Sequence, residues 1–108
     1  MKITLVSNAV AYNLYTLCVA VDPNLFKNCR GLSIQLPDAA IEAANAGASC
    51  KIGTSNAAAT AVDPLIALSE GDTYNFPQSG TANTISLKEI GVIASANNAV
   101  LYVNPEVA

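Results

Sequence analysis

Histidine and tryptophan are both absent from this 108-residue chain. Without histidine there is no Ser–His or Cys–His nucleophile pair, and the commonest general acid–base group is missing. Charge is also scarce, with five Lys and Arg against eight Asp and Glu and a net charge of −3. The five basic residues, Lys2, Lys27, Arg30, Lys51 and Lys88, are scattered along the chain. Neutralising phosphates or an anionic lipid surface needs clustered positive charge, so neither a nucleic acid nor a membrane is expected as partner. No apolar run reaches the roughly 18 residues of a spanning helix. The six glycines are dispersed. The stretch 53–60 lacks the second glycine and the lysine of a phosphate-cradling loop. Cys18, Cys29 and Cys50 are odd in number, with no C-x-x-C pair, and without histidine they make a poor zinc set. Two readings remain for them: small apolar fillers of the core, or a Cys18–Cys29 disulfide. At the N-terminus Asn8 and Asn13 interrupt the apolar run. Leu17 stands where a lipoprotein signal would place a small residue before Cys18. The expectation is a chain made and kept in the cytoplasm.

What is present is apolar. Hydrophobic residues make up 52% of the chain and charged residues 12%, the opposite of a disordered composition. The length suits one domain, residues 1–108, able to bury a core without staples. Its surface must then be covered largely by Ala, Ser, Thr and Asn, which cost little to desolvate against a partner.

The pattern is mainly that of strands. Residues 2–7 alternate, with Ile3 and Leu5 on one side. Residues 11–21 are rich in β-branched and aromatic side chains and read as a longer strand, broken at Asp22-Pro23-Asn24. Residues 31–36 alternate with Leu32, Ile34 and Leu36 inward, and Pro37 ends them. Residues 38–46 are the one helical candidate, Ala-rich behind a capping Asp38, though short enough to be an ordered loop instead. Strands are expected at 48–52, 65–68 and 84–87, and residues 54–64 and 77–80 read as loops. Ser69-Glu70-Gly71-Asp72 is a turn before TYNF. Residues 92–96 and 99–103 flank Asn97-Asn98, a pair suited to a two-residue hairpin. About seven to nine short strands at this spacing predict a mainly all-β fold. It would be an antiparallel β-sandwich or jelly-roll-like barrel with at most one short helix.

No constellation for chemistry emerges. The acidic residues Asp22, Asp38, Glu42, Asp63, Glu70, Asp72, Glu89 and Glu106 mostly sit beside Gly or Pro or at element ends. There they cap or solvate. Glu70 and Asp72 could touch calcium, but that ion wants six to eight oxygen ligands. Tyr12, Tyr15, Tyr74 and Tyr102 do not form an evident sugar-stacking row. No catalytic, cofactor-binding or metal-binding residue is expected, and the chain is read as no enzyme.

From Cys29 onward the order of segments is informative: CRGLSIQLP, then NAGASCKIGTSNA, LIALSEGDTYNFP and NTISLKEIGVIASANNAVLYV. This order resembles small β-sandwich virion proteins of tailed bacteriophages, the kind that decorate or cement a capsid. The Ala-rich DAAIEAANA is longer than that pattern has between its first two strands. The resemblance implies a non-enzymatic structural protein, made in the host cytoplasm and located in the virion. Its partners would be the major capsid protein and other copies of itself, as trimers or dimers, with no cofactor. Neck, tail or fibre-anchoring components and a carbohydrate-binding or adhesion module are the alternatives. Contacts are expected from a short N-terminal arm through Ile3 and Leu5, and from the C-terminal tail through Tyr102, Pro105 and Val107. Removal of residues 1–7 should then leave the fold intact.

Overall fold

The computed structural model describes residues 1–53, 66–76 and 84–107. Its strands are β1 (Lys2–Leu5), β2 (Tyr12–Asn13), β3 (Asn28–Cys29), β4 (Gly31–Gln35), β5 (Ser49–Gly53), β6 (Ile66–Ser69), β7 (Thr73–Phe76), β8 (Ile85–Ser86), β9 (Gly91–Ala94) and β10 (Ala99–Glu106). One helix, α1 (Leu14–Val21), and 3₁₀ turns at Ala43–Asn45 and Leu87–Glu89 complete them. The strands form two four-stranded antiparallel sheets, ordered β1-β10-β4-β7 and β2-β9-β5-β6, and a small β3-β8 pair. The domain is therefore mostly β, with one short helix and open sheets. No sheet closes into a barrel among the described residues, which removes the barrel alternative there. The expected loops 54–64 and 77–80 lie wholly outside the described residues.

Both larger sheets turn an apolar face to one core. Ile3, Leu5, Leu32, Ile34, Leu101 and Val103 come from the first sheet, and Cys50, Ile52, Leu68, Val92 and Ala94 from the second. The alternation read in residues 2–5 and 31–36 holds, with Ile3, Leu5, Leu32, Ile34 and Leu36 all buried. Side chains on a strand point alternately to its two faces, so this pattern fixes which face is inside.

Two expectations are corrected, and the choice left open at residues 38–46 falls to an ordered loop. Residues 14–21 are helical. Leu14, Leu17 and Cys18 recur at helical spacing, and Leu14 and Cys18 are fully buried. Asn13 caps the helix by accepting from the Thr16 N–H at 3.3 Å, and the Leu14 N–H is taken by the Ile90 carbonyl at 2.8 Å. Asp22, extended before Pro23, ends the helix. Burial and capping outweigh the β propensity of the segment, which is a weak prior.

Residues 38–46 form one turn and a 3₁₀ turn in place of a helix. Asp38 does cap the start, accepting from the Ala40 N–H, but Glu42 is already extended. The reason lies three residues on. The Asn45 side chain is buried and drawn to the Pro37 and Val100 backbones at 2.8–2.9 Å.

The turn at Asn97-Asn98 exists, with Asn98 at φ 60°, but β9 and β10 are not a hairpin. They belong to different sheets. The turn at 69–72 likewise carries the chain from β6 in one sheet to β7 in the other. Gly71 has φ 84° there, a conformation that favours glycine.

Candidate interaction surface

The side chains expected to make contacts do not form one surface. Ile3 is 2% and Leu5 0% exposed, both inside the core. Pro105 lies on the same inward side of β10 as Leu101 and Val103 and is half-buried. Tyr102 points to the outer face, and Val107, 39% exposed, lies beyond the last strand. The expected arm and tail are corrected too. β1 is paired with β10 from Lys2↔Tyr102 to Leu5↔Ala99, and β10 stays in its sheet through Glu106. Removing residues 1–7 would strip Ile3 and Leu5 from the core, so the fold would not survive it intact. Deleting one buried Leu or Ile side chain alone typically costs about 2–5 kcal/mol.

What β1 offers outward is its backbone. The Met1 and Val103 backbones exchange hydrogen bonds, Met1 donating at 2.6 Å and accepting at 2.8 Å. In an antiparallel pair such rungs recur at every second residue. Ile3 and Leu5 therefore bond toward β10, while the Lys2 and Thr4 N–H and C=O groups point to the sheet edge, where β1 pairs with no further strand among the described residues.

The outer face of this sheet is a neutral polar ladder. The register sets Tyr102, Gln35 and Thr73 in one cross-strand row and Asn104, Ser33 and Asn75 in the next. The charges that border the face are paired. Lys2 Nζ lies 3.1 Å from Glu42 Oε1, and Arg30 Nη2 lies 3.0 Å from Glu106 Oε1. The Tyr102 hydroxyl donates to the same Glu42 oxygen at 2.7 Å. That hydrogen bond, with the Lys2 ammonium, lowers the Glu42 pKa; the same bond, with burial and the Glu42 charge, raises that of Tyr102. Beside the second row lies a shallow groove of about 310 Å³, lined by Ser33, Asn75, Asn104, Glu106, Leu32 and Phe76.

The candidate ion ligands have structural partners. Glu70 accepts from the Ala39 and Gly47 N–H groups at 3.0 and 2.9 Å, and Asp72 from the Ser69 N–H at 2.8 Å. No cluster of three or more His, Cys, Asp or Glu with metal-holding geometry occurs among the described residues. The three cysteines are buried free thiols, which favours the filler reading over a Cys18–Cys29 bridge. Burial pushes the Cys18 thiol up to about 11 and the Cys50 thiol up to about 12.

Several residues that matter here gave no local signal. Asn45 is one of several Asn in small-residue surroundings, and Glu42 acquires its role only because β10 brings Tyr102 to it. Phe26 stands on the loop after α1 and is 67% exposed. No family model, no curated protein and no solved structure matches the chain.

Proposed function

We propose that this protein is a non-enzymatic virion component that binds and stabilises a bacteriophage capsid shell. The two larger sheets, sharing one core, would be the two layers of a β-sandwich. The observation that carries the proposal is the outer face of the β1-β10-β4-β7 sheet. It is built of hydroxyl and carboxamide side chains, and its bordering charges neutralise one another in the Lys2–Glu42 and Arg30–Glu106 pairs. Such a face costs less to desolvate than a charged one where its hydroxyls and carboxamides find partners across the contact, and its paired border charges weaken the local field that would repel identical neighbours. A shell repeats one contact many times, so a modest free energy per contact suffices. The outer edge of β1 adds a second mode, in which a strand of the major capsid protein pairs with the Lys2 and Thr4 backbone.

The test is cosedimentation of the purified protein with capsid shells that lack it. Thr4→Pro removes the outward N–H while the rungs to β10 remain, as edge strands tolerate. Binding by the wild type and loss of binding by a folded Thr4→Pro protein are expected. Wild-type protein that stays in the supernatant contradicts the proposal.

A carbohydrate-binding module is the second reading. It is favoured by the groove along Ser33, Asn75 and Asn104, whose hydroxyl and carboxamides suit a polyol. A glycan-array signal removed by Asn75→Ala and Asn104→Ala would move the assignment there.

A further inference from the structure

Residues 38–47 join β4 to β5 without entering either sheet. Pro37 and Ala48 are buried at the two ends, but between them only Asn45 is. Ile41, the one large apolar side chain of the segment, is 61% exposed, and none of its alanines is buried. Hydrophobic burial therefore does not hold the segment down.

Polar ties hold it instead. Among the described residues, three side chains fasten it to the rest of the chain. Glu70 takes the Ala39 N–H on Oε1 at 3.0 Å and the Gly47 N–H on Oε2 at 2.9 Å, so that one carboxylate clamps both ends. Asn45 exchanges two hydrogen bonds with the Val100 backbone and donates a third to the Pro37 carbonyl. Glu42 meets the Tyr102 hydroxyl at 2.7 Å and Lys2 Nζ at 3.1 Å on the outer face of the first sheet. The other hydrogen bonds of the segment run within residues 38–48 and bind them to one another. The Glu42 N–H donates to the Asp38 carbonyl, the Asn45 N–H to the Glu42 carbonyl and the Ala48 N–H to the Asn45 carbonyl. A contiguous segment with few buried apolar contacts opens cooperatively, at a cost below that of global unfolding. The strand pairs of both larger sheets all lie outside this segment, so its opening breaks none of them.

We propose that residues 38–47 form a strap that opens as one unit while both sheets stay folded. In opening it carries Glu42 away from the outer face, so Lys2 loses its partner carboxylate, and it bares the Val100 N–H and C=O. The position of the strap thus sets the charge balance of that face. None of this depends on what binds the face, and the test needs no partner.

Native-state hydrogen exchange of the full chain in low urea tests it. Val100 is the decisive amide. It lies within β10, yet its acceptor is a strap side chain, whereas the adjacent Leu101 and Tyr102 are paired with Ile3 on β1 and Gln35 on β4. Val100 should open together with Ala39 and Gly47, and be about tenfold or more less protected than Leu101 and Tyr102. Glu70→Gln removes the charge and one of the two acceptors. It should speed exchange about tenfold or more at Ala39 and Gly47, and equally at Val100, which Glu70 does not touch. Tyr102→Phe, which removes the hydroxyl bonded to Glu42, should speed the same three amides about threefold or more. Protection of Val100 equal to that of Leu101 and Tyr102 would overturn the proposal. So would a Glu70→Gln or Tyr102→Phe protein in which Val100 exchange is unchanged. The comparison of Val100 with its neighbours is made in the wild type, so it decides even where a variant does not fold.

Discussion

Asn45 occupies the place of a strand residue opposite Val100. Its Oδ1 accepts from the Val100 N–H at 2.8 Å and its Nδ2 donates to the Val100 carbonyl at 2.9 Å. The β10–β4 register pairs Tyr102 with Gln35, so Val100 would next meet residue 37. That residue is Pro37, which has no N–H to give. The carboxamide supplies the missing rung, and its Nδ2 also donates to the Pro37 carbonyl at 2.8 Å. A side chain thus extends the ladder past the point where the β4 backbone cannot.

Asn45→Ala should therefore cost about 3 kcal/mol, since it leaves buried Val100 backbone groups unpaired. Urea denaturation reads this directly. A loss under about 0.5 kcal/mol would show that the rung contributes little.

Glu70 ties the segment 38–47 to the 69–72 turn through the Ala39 and Gly47 N–H groups. Glu70→Ala should lower stability by about 1–3 kcal/mol. It should also speed hydrogen exchange at Ala39 and Gly47 well before the core strands. Unchanged exchange at both amides would contradict the assignment.

The cap of α1 makes two bonds with one side chain. Asn13 accepts from the Thr16 N–H, and its Nδ2 donates to the Lys88 carbonyl at 2.6 Å. Asn13→Ala should cost about 1–2 kcal/mol. Asn13→Asp should recover part of this, since a carboxylate caps but cannot donate to Lys88. Thermal or chemical melts of the two variants give the ranking.

The thiols set an alkaline limit. In the folded protein Cys18 is pushed up to about 11 and Cys50 up to about 12, in each case chiefly by burial. In the unfolded chain thiols ionise near 8.5. The unfolded state therefore releases protons first, and stability falls as pH rises from about 8.5 toward these values. Cys50→Ala should flatten that fall. At pH 8 a thiol reagent should label none of the three cysteines in the native protein and all three in denaturant. Only one labelled thiol in denaturant under non-reducing conditions would restore the Cys18–Cys29 bridge.

What the sequence reveals here follows the range of each signal. The alternation of Ile3 with Leu5 and of Leu32 with Ile34 is a property of single strands, and it is legible because burial of one face imposes it. The turns at Gly71 and Asn98 are legible for the same local reason, since both need a positive φ. Which sheet receives the strand after a turn is decided by distant partners, and so the hairpin at 92–103 is misread from sequence. The segment 14–21 carries β-branched residues on a helix because Leu14 and Cys18 meet the core at helical spacing. Asn45 had no local signature, as its partners Pro37 and Val100 lie 8 and 55 positions away. The contact residues fared worst. Ile3 and Leu5 were legible as apolar, but whether an apolar strand joins its own sheet or a neighbour's is a matter of the whole fold.

Quantitative mass spectrometry of purified virions from the source of this chain is the most direct test of the central proposal. A capsid-stabilising protein predicts a copy number near one per major capsid subunit, or a simple fraction of it. A handful of copies per particle would place the chain at the neck or tail, and its absence from the particle would contradict the virion assignment.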